Sequence, residues 1–308
     1  MANPAELVLG SVQLGLAYGA ANRTGKPSRK AALKLVRRAA DSGITKFDTA
    51  RAYGDSEERL GEALGGRKAV RTITKLSPLT ELAEDSARDA VRAAVDASVS
   101  QSLAALRRER IDCLLLHRAA HMTSHGGAVW DRLVEMLEEG TVLSLGVSVQ
   151  SPEEAFAALS RADMRHIQLP FNVLDRRWRE AGVIDDILER PHVTVHARSV
   201  FLQGILAAED ASVWPAVDGV DAAGILNELA RIAEDFGRES IADLCLAYVR
   251  GQDWIDGVVV GMETEAQLDD NLRLFVRPPL SVDDCAAIAA RIPLVPIQLL
   301  NPALWPRT

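Results

Sequence analysis

Residues 44–75 read ITKFDTARAYGDSEERLGEALGGRKAVRTITK. Two short apolar runs close on charged residues, Ile44 to Asp48 and Val70 to Lys75, and a short helical pattern from Ser56 to Leu64 lies between them. A strand, a helix that stops at Gly65-Gly66, and a second strand form a βαβ unit, and such a unit needs its two strands parallel. Asp48 and Lys75 then stand at neighbouring strand exits, with Tyr53 in the connecting loop, so the three side chains are expected to converge.

The same alternation extends outward in both directions. Strand-like segments are expected at Val8–Leu14, Ile44–Asp48, Val70–Lys75, Ile111–His117, Leu143–Ser148, His166–Pro170, Val193–Arg198 and Gly257–Gly261. Helical patterns separate them. Ser28 caps a helix whose apolar face is Ala32, Leu35, Val36 and Ala39. Asp85–Arg108 carries Val91, Val95, Val99 and Leu103 on one face, and a further helix runs through Glu135–Glu139 to Gly140. Ser151-Pro152-Glu153-Glu154 opens the next helix with a cap, a proline at the first position and early carboxylates. Asp175–Glu189, Ala223–Phe236, a helix capped by Ser240, and one beginning at Thr264 complete the series. Eight such strands predict a closed α/β barrel occupying 1–308 as a single domain. After Pro278-Pro279 the chain adds one extra helix and an apolar tail, LVPIQLLNPALWP, that folds back over it.

Composition bounds the function. Of 308 residues, 48% are hydrophobic and 25% charged, enough to build and cover a core, which excludes a disordered chain. A net charge of −8 argues against a general polyanion-binding surface, so nucleic acid is not an expected partner. No apolar run reaches the ~18–20 residues of a membrane span, and MANPAELVLG lacks a basic segment followed by a hydrophobic one, so a cytoplasmic location is expected. Cys113, Cys245 and Cys285 are odd in number and lack CxxC spacing, which predicts buried free thiols. His117 and His121 are four apart but no third ligand accompanies them, and no metal is expected. No G-x-G-x-x-G follows the first strand, which disfavours a Rossmann cofactor site.

In an α/β barrel, chemistry belongs where strands end and helices begin, and Asp48, Lys75 and His117 all fall there. A tyrosine hydroxyl, with an ordinary pKa of about 10, donates a proton reluctantly at neutral pH unless a cation favours its phenolate. Lys75 would be that cation, Asp48 would hold Lys75, and His117 would hold a substrate oxygen.

FDTARAYGDSEERLG at Phe47 to Gly61, with ITKLS and LLLHR further on, resembles the aldo-keto reductase signature, and the likeness runs from GSVQLG at Gly10 to LDDNL at Leu272. This resemblance implies a TIM-barrel oxidoreductase that uses NAD(P)H on a small carbonyl, alcohol or sugar. Tyr53 would be general acid or base, Lys75 and Asp48 would tune it, and His117 would orient the carbonyl. It further implies Ser148 and Gln168 as contacts to the nicotinamide carboxamide, although Val149 stands where the family commonly has asparagine. Arg198 takes the place of the tyrosine that usually stacks on the nicotinamide, and a guanidinium can also stack. Ser199, Gln203 and Gly204 would meet the pyrophosphate, and Gly261, Glu263, Gln267 and Asn271 the adenosine end.

From Trp254 to Leu272 there is no lysine or arginine, while Glu263 and Glu265 are present, which tilts the expectation toward NAD(H). Tyr18, Asn22, Arg23, Arg51, His121 and Trp305 are the expected rim residues for substrate, a mixture suited to a polar carbonyl compound such as a sugar. The alternative from another class is a nicotinamide-binding barrel that senses redox state or regulates a partner. A metal-dependent sugar isomerase or hydrolase would need a cluster of carboxylates and histidines that the sequence does not present.

Overall fold

Short segments buried on both faces are what a parallel sheet covered by helices requires, and eight of them pair edge to edge without a break. In the computed structural model, which describes residues 5–208 and 210–306, the strands are β1 (Glu6–Gly10), β2 (Lys46–Asp48), β3 (Arg71–Lys75), β4 (Cys113–Leu116), β5 (Leu145–Ser148), β6 (His166–Pro170), β7 (Thr194–Arg198) and β8 (Gly257–Gly261). All are parallel, each pairs with the next, and β8 closes on β1 from Glu6↔Gly257 to Gly10↔Gly261. The chain is therefore a single-domain (β/α)8 barrel, as the sequence pattern implies. One apolar core fills the space between sheet and helices, and a smaller cluster of Val8, Ile73, Cys113, Leu115 and Val259 fills the barrel itself.

The helix starts follow the sequence chemistry. Ser28 accepts from the Ala31 amide, Ser151 from Glu154 and Ser240 from Asp243, while Thr264 and Gln267 form a capping box. The helices these residues open run over Arg29–Asp41, Pro152–Leu159, Ile241–Arg250 and Glu265–Phe275. After Pro279 the extra helix is Val282–Arg291, and the tail does fold back, with Leu299 and Leu300 buried in the main core.

Two expectations are corrected. The first strand stops at Gly10 rather than Leu14, and Val12–Gly15 is a helical turn. The cause lies in Ser11, whose amide and hydroxyl both donate to the Asp48 carbonyl and draw the chain across the end of β2. A short apolar run satisfies either period, and here burial of Leu14 is met by the turn. The expected helix from Asp175 to Glu189 is two short ones, Arg177–Glu180 and Val183–Leu188, because Gly182 takes φ +81 between them. The residues before Ala5, the start of the MANPAELVLG stretch, lie outside the described residues. Among the described residues no helix is long and apolar enough to cross a membrane.

Candidate active site

A cavity of roughly 950 Å³ opens over the C-terminal ends of the strands and is bordered by Asp48, Tyr53, His117, Ser148, Gln168 and Arg198. Its floor is an ion pair. Lys75 Nζ donates to Asp48 Oδ1 at 2.6 Å and to the Thr49 carbonyl at 2.9 Å, with both charged side chains almost fully buried. Gln168 Nε2 donates to the other carboxylate oxygen, Oδ2, at 2.7 Å. Burial works to lower the Lys75 pKa, but the Asp48 carboxylate and the Tyr53 phenol outweigh it, and the pKa is raised. Lys75 is therefore an ammonium in a nearly anhydrous setting.

Tyr53 stands above this pair on a loop tied to both strands. The Arg51 amide bonds to the Lys75 carbonyl, and the Thr49 amide to the Ile73 carbonyl. Gly15 and Gly54 bring the loop after β1 against the Tyr53 loop backbone to backbone. A Cβ at Gly15 would sit 1.8 Å from the Tyr53 carbonyl oxygen, and Gly54 takes φ +57. The Lys75 ammonium is 5.1 Å from the Tyr53 ring centroid, and the His117 ring meets Tyr53 edge-on at 5.7 Å between centroids. Burial, then the charges of Lys75 and Arg198, push the His117 pKa down to about 3, so its imidazole is neutral. The structure thus draws the four expected catalytic side chains into one cluster.

The remaining expected residues divide. Ser148, Ser199, Gln203, Gly204, Gly261, Glu263 and Asn271 all border the cavity. Ser199 and Gln203 hold φ +63 and +56, an arrangement L-residues adopt only where the surroundings impose it. Gln267 also borders the cavity, but its Oε1 is already committed to the Glu263 and Thr264 amides, leaving only its NH2 for a ligand. The Arg198 Nη2 donates to the Val149 carbonyl at 3.2 Å and to Gln150 Oε1 at 2.8 Å.

Among the rim candidates, Tyr18 and Asn22 border the cavity. Arg51 does not, because it forms an ion pair with fully buried Glu57. Arg23 lies against Asp210 at 3.6 Å, and the Trp305 indole donates to the Leu299 carbonyl at 3.0 Å. His121 is buried on a turn and has its pKa lowered by that burial. Among the described residues no group of three or more His, Cys, Asp or Glu could hold a metal ion. Glu265 also leaves the cavity: Lys34 and Arg38 reach it from the Arg29–Asp41 helix at 2.7 and 3.1 Å.

Gln13 and Gln150, and Glu154 from the first turn of the Pro152–Leu159 helix, border the same space without having been expected as site residues. Gln13 Oε1 and Gln150 Nε2 are buried without partners, orphaned polar atoms of the kind a bound ligand satisfies. Gln13 was hidden because the apolar run around it read as strand. The only sequence signal for Gln150 is its place two residues past Ser148.

The sequence pattern of the Aldo/keto reductase family matches residues 6–292. The chain belongs to this family. Over 93% of its length it is 24% identical to the L-glyceraldehyde 3-phosphate reductase of Escherichia coli, covering 90% of that protein. It is 24% identical to the uncharacterised oxidoreductase YqkF of Bacillus subtilis over 83% of its own length and 86% of that protein's. A 30% match to the aldo-keto reductase YhdN of Bacillus subtilis spans only about half of each chain, 51% and 48%. In fold it is similar to a Bacillus halodurans aldo-keto reductase in its holo form, with a TM-score of 0.74 at 22% identity over 95% of this chain and 93% of that one. It is also similar to a Gluconobacter oxydans glycerol dehydrogenase, with a TM-score of 0.70 at 20% identity, covering 94% and 91% of the two chains.

Proposed function

We propose that this aldo-keto reductase, acting as one unit over residues 1–308 in the cytoplasm, reduces a small polar carbonyl compound with NAD(P)H and runs the reverse oxidation. The observation that carries this reading is the Tyr53–Lys75–Asp48 arrangement beside neutral His117 at the cavity floor. The cavity fits a dinucleotide: Ser148 and the free Oε1 of Gln168 suit the carboxamide, the Ser199 to Gly204 loop suits the pyrophosphate, and Gln13 and Gln150 supply unpaired polar atoms. When bound there, the nicotinamide supplies the hydride. Tyr53 gives its proton to the carbonyl oxygen, His117 donates an N–H to the same oxygen and fixes its direction, and the Lys75 ammonium stabilises the phenolate left behind. Asp48 keeps Lys75 charged, and Gln168 keeps Asp48 in place.

Glu263, Asp270 and Asn271 border the part of the cavity we read as the adenosine end, and among the described residues no lysine or arginine borders it beside them. This supports a preference for NAD(H), since a carboxylate accepts from ribose hydroxyls and repels a 2′-phosphate. Tyr18 and Asn22 at the mouth suit a hydroxylated substrate, and two of the similar proteins are named for L-glyceraldehyde 3-phosphate and glycerol. The test is a turnover screen of aldoses, aldehydes, ketones and lactols with each nicotinamide, with and without a chelator. Chelator-insensitive turnover with lower KM for NADH supports the reading. Tight nicotinamide binding with no turnover on any carbonyl would favour a regulatory barrel, and a strong NADPH preference would defeat the cofactor assignment.

A further inference from the structure

Arg198 is a half-buried guanidinium without a carboxylate. Its hydrogen bonds go to neutral oxygens: the Val149 carbonyl, Gln150 Oε1 and, at 3.5 Å, the Ser199 hydroxyl. Among the described residues no acid forms an ion pair with it, and burial is the largest influence on its pKa, pulling it down. Evolution of a buried cation normally supplies a counter-charge, because removing a charge from water is costly. Here the open side of the group faces the cavity.

Its position is specific. Ser148 pairs with Gln168 across β5 and β6, and Pro170 pairs with Arg198 across β6 and β7. From the end of β7 the guanidinium reaches back to Val149 and Gln150 just beyond β5, so it spans the strand exits on which Ser148 and Gln168 stand. A nicotinamide ring whose carboxamide was held by those two side chains would be placed next to Arg198.

The other charges near that place are of two kinds, paired ones and ones that do not bond to the guanidinium. Asp48 and Lys75 neutralise each other, and His117 is uncharged. Glu154 is near enough to be felt by Arg198, but it accepts from the Gln150 amide at 2.6 Å rather than from the guanidinium. Arg118 borders the same cavity and acts on His117; among the described residues Arg198 is the cation that lies across the exits of β5 to β7, with no carboxylate bonded to it.

We infer that Arg198 makes the site discriminate between the two oxidation states of the cofactor, holding the neutral reduced nicotinamide and repelling the positively charged oxidised ring. This rests on the reading of the cavity as a nicotinamide site. The adenosine and diphosphate are identical in the two forms, so the ratio of their dissociation constants isolates the ring. Carbonyl reduction would then end with ready release of the oxidised cofactor.

The test is the pair of dissociation constants for NADH and NAD+, measured by tryptophan fluorescence and calorimetry without substrate, for wild type, Arg198→Gln and Arg198→Lys. The expected result is NADH bound between about tenfold and about 10³-fold tighter than NAD+ by wild type, the range for like charges from about 12 down to about 4 Å apart at an effective dielectric constant near 20. The ratio should collapse toward unity in Arg198→Gln and persist in Arg198→Lys. An unchanged ratio in Arg198→Gln, whether both forms weaken together, as a diphosphate contact would cause, or neither does, overturns the inference alone. Failure of wild type to bind either form overturns the functional reading and the inference with it.

Discussion

At the mouth of the barrel, Asp48 and Lys75 stay charged while almost fully buried, because they share an ion pair and Gln168 and the Thr49 carbonyl take up further hydrogen bonds. Deeper in the same barrel, His166 and His196 meet edge-on at 4.3 Å between ring centroids, and neither carries a charge. Among the described residues the one partner there is Cys113, whose Sγ lies 3.4 Å from His166 Nδ1; His166 Nε2 and both nitrogens of His196 have none. Burial, followed by the charges of Lys46 and Lys75, pushes the His166 pKa down to about 3, and burial pushes the Cys113 thiol up to about 12. Both clusters are polar and buried, but only the upper one has compensated charge and borders the cavity. Burial alone neutralises a titratable group; burial with a matched partner preserves the charge that proton transfer needs.

Breaking the upper pair should have the largest effect. Lys75→Met leaves the Asp48 carboxylate with Gln168 as its remaining side-chain partner, and denaturant unfolding should show a loss of about 3–5 kcal/mol. Carbonyl reduction should fall by roughly 10²- to 10⁴-fold. Adding Asp48→Asn should recover much of the stability and none of the turnover.

Acid sharpens the comparison from the other side. His166 is depressed from about 6.5 when unfolded to about 3 when folded, so at low pH the unfolded chain takes up a proton the native one refuses. Its contribution is intact above pH 6.5 and is lost as pH falls toward 3, at ~1.4 kcal/mol per pH unit. His196, shifted in the same direction by burial and by its neighbour, adds to this loss. The thermal midpoint should therefore fall less steeply with acid in His166→Leu than in wild type; equal slopes would mean that these histidines are not the buried neutral groups described.

Gln168→Leu removes one hydrogen bond to a charged acceptor, worth about 1.5–3 kcal/mol, and should also weaken cofactor binding, which separates it from a purely structural residue. The smallest effect belongs to His196→Leu at neutral pH. With both ring nitrogens already unpartnered, stability should change by less than about 1.5 kcal/mol in either direction and turnover should be unaffected.

The barrel was legible because its strands are buried on both faces and each is punctuated by a capped helix; β6 and β8 fall where the apolar runs place them. Asp48, Tyr53, Lys75 and His117 were legible because strand ends fix position along the chain and around the barrel together. Contacts between distant loops were not. Nothing in the local pattern shows that Lys34 and Arg38 occupy Glu265, that Glu57 occupies Arg51, or that Gln168 is turned onto Asp48. Arg198 was visible as a cation at the seventh strand exit, but its lack of an acidic partner emerges only in three dimensions.

The central claim is that Tyr53 moves a proton in a pocket whose charge is set by Asp48 and Lys75. Single-turnover mixing of the NADH-loaded protein with an aldehyde that wild type reduces, in wild type and Tyr53→Phe, tests it most directly. The prediction is NADH bound with unchanged affinity by the variant and oxidised roughly 10²- to 10⁴-fold more slowly. Oxidation at the wild-type rate by Tyr53→Phe would contradict it.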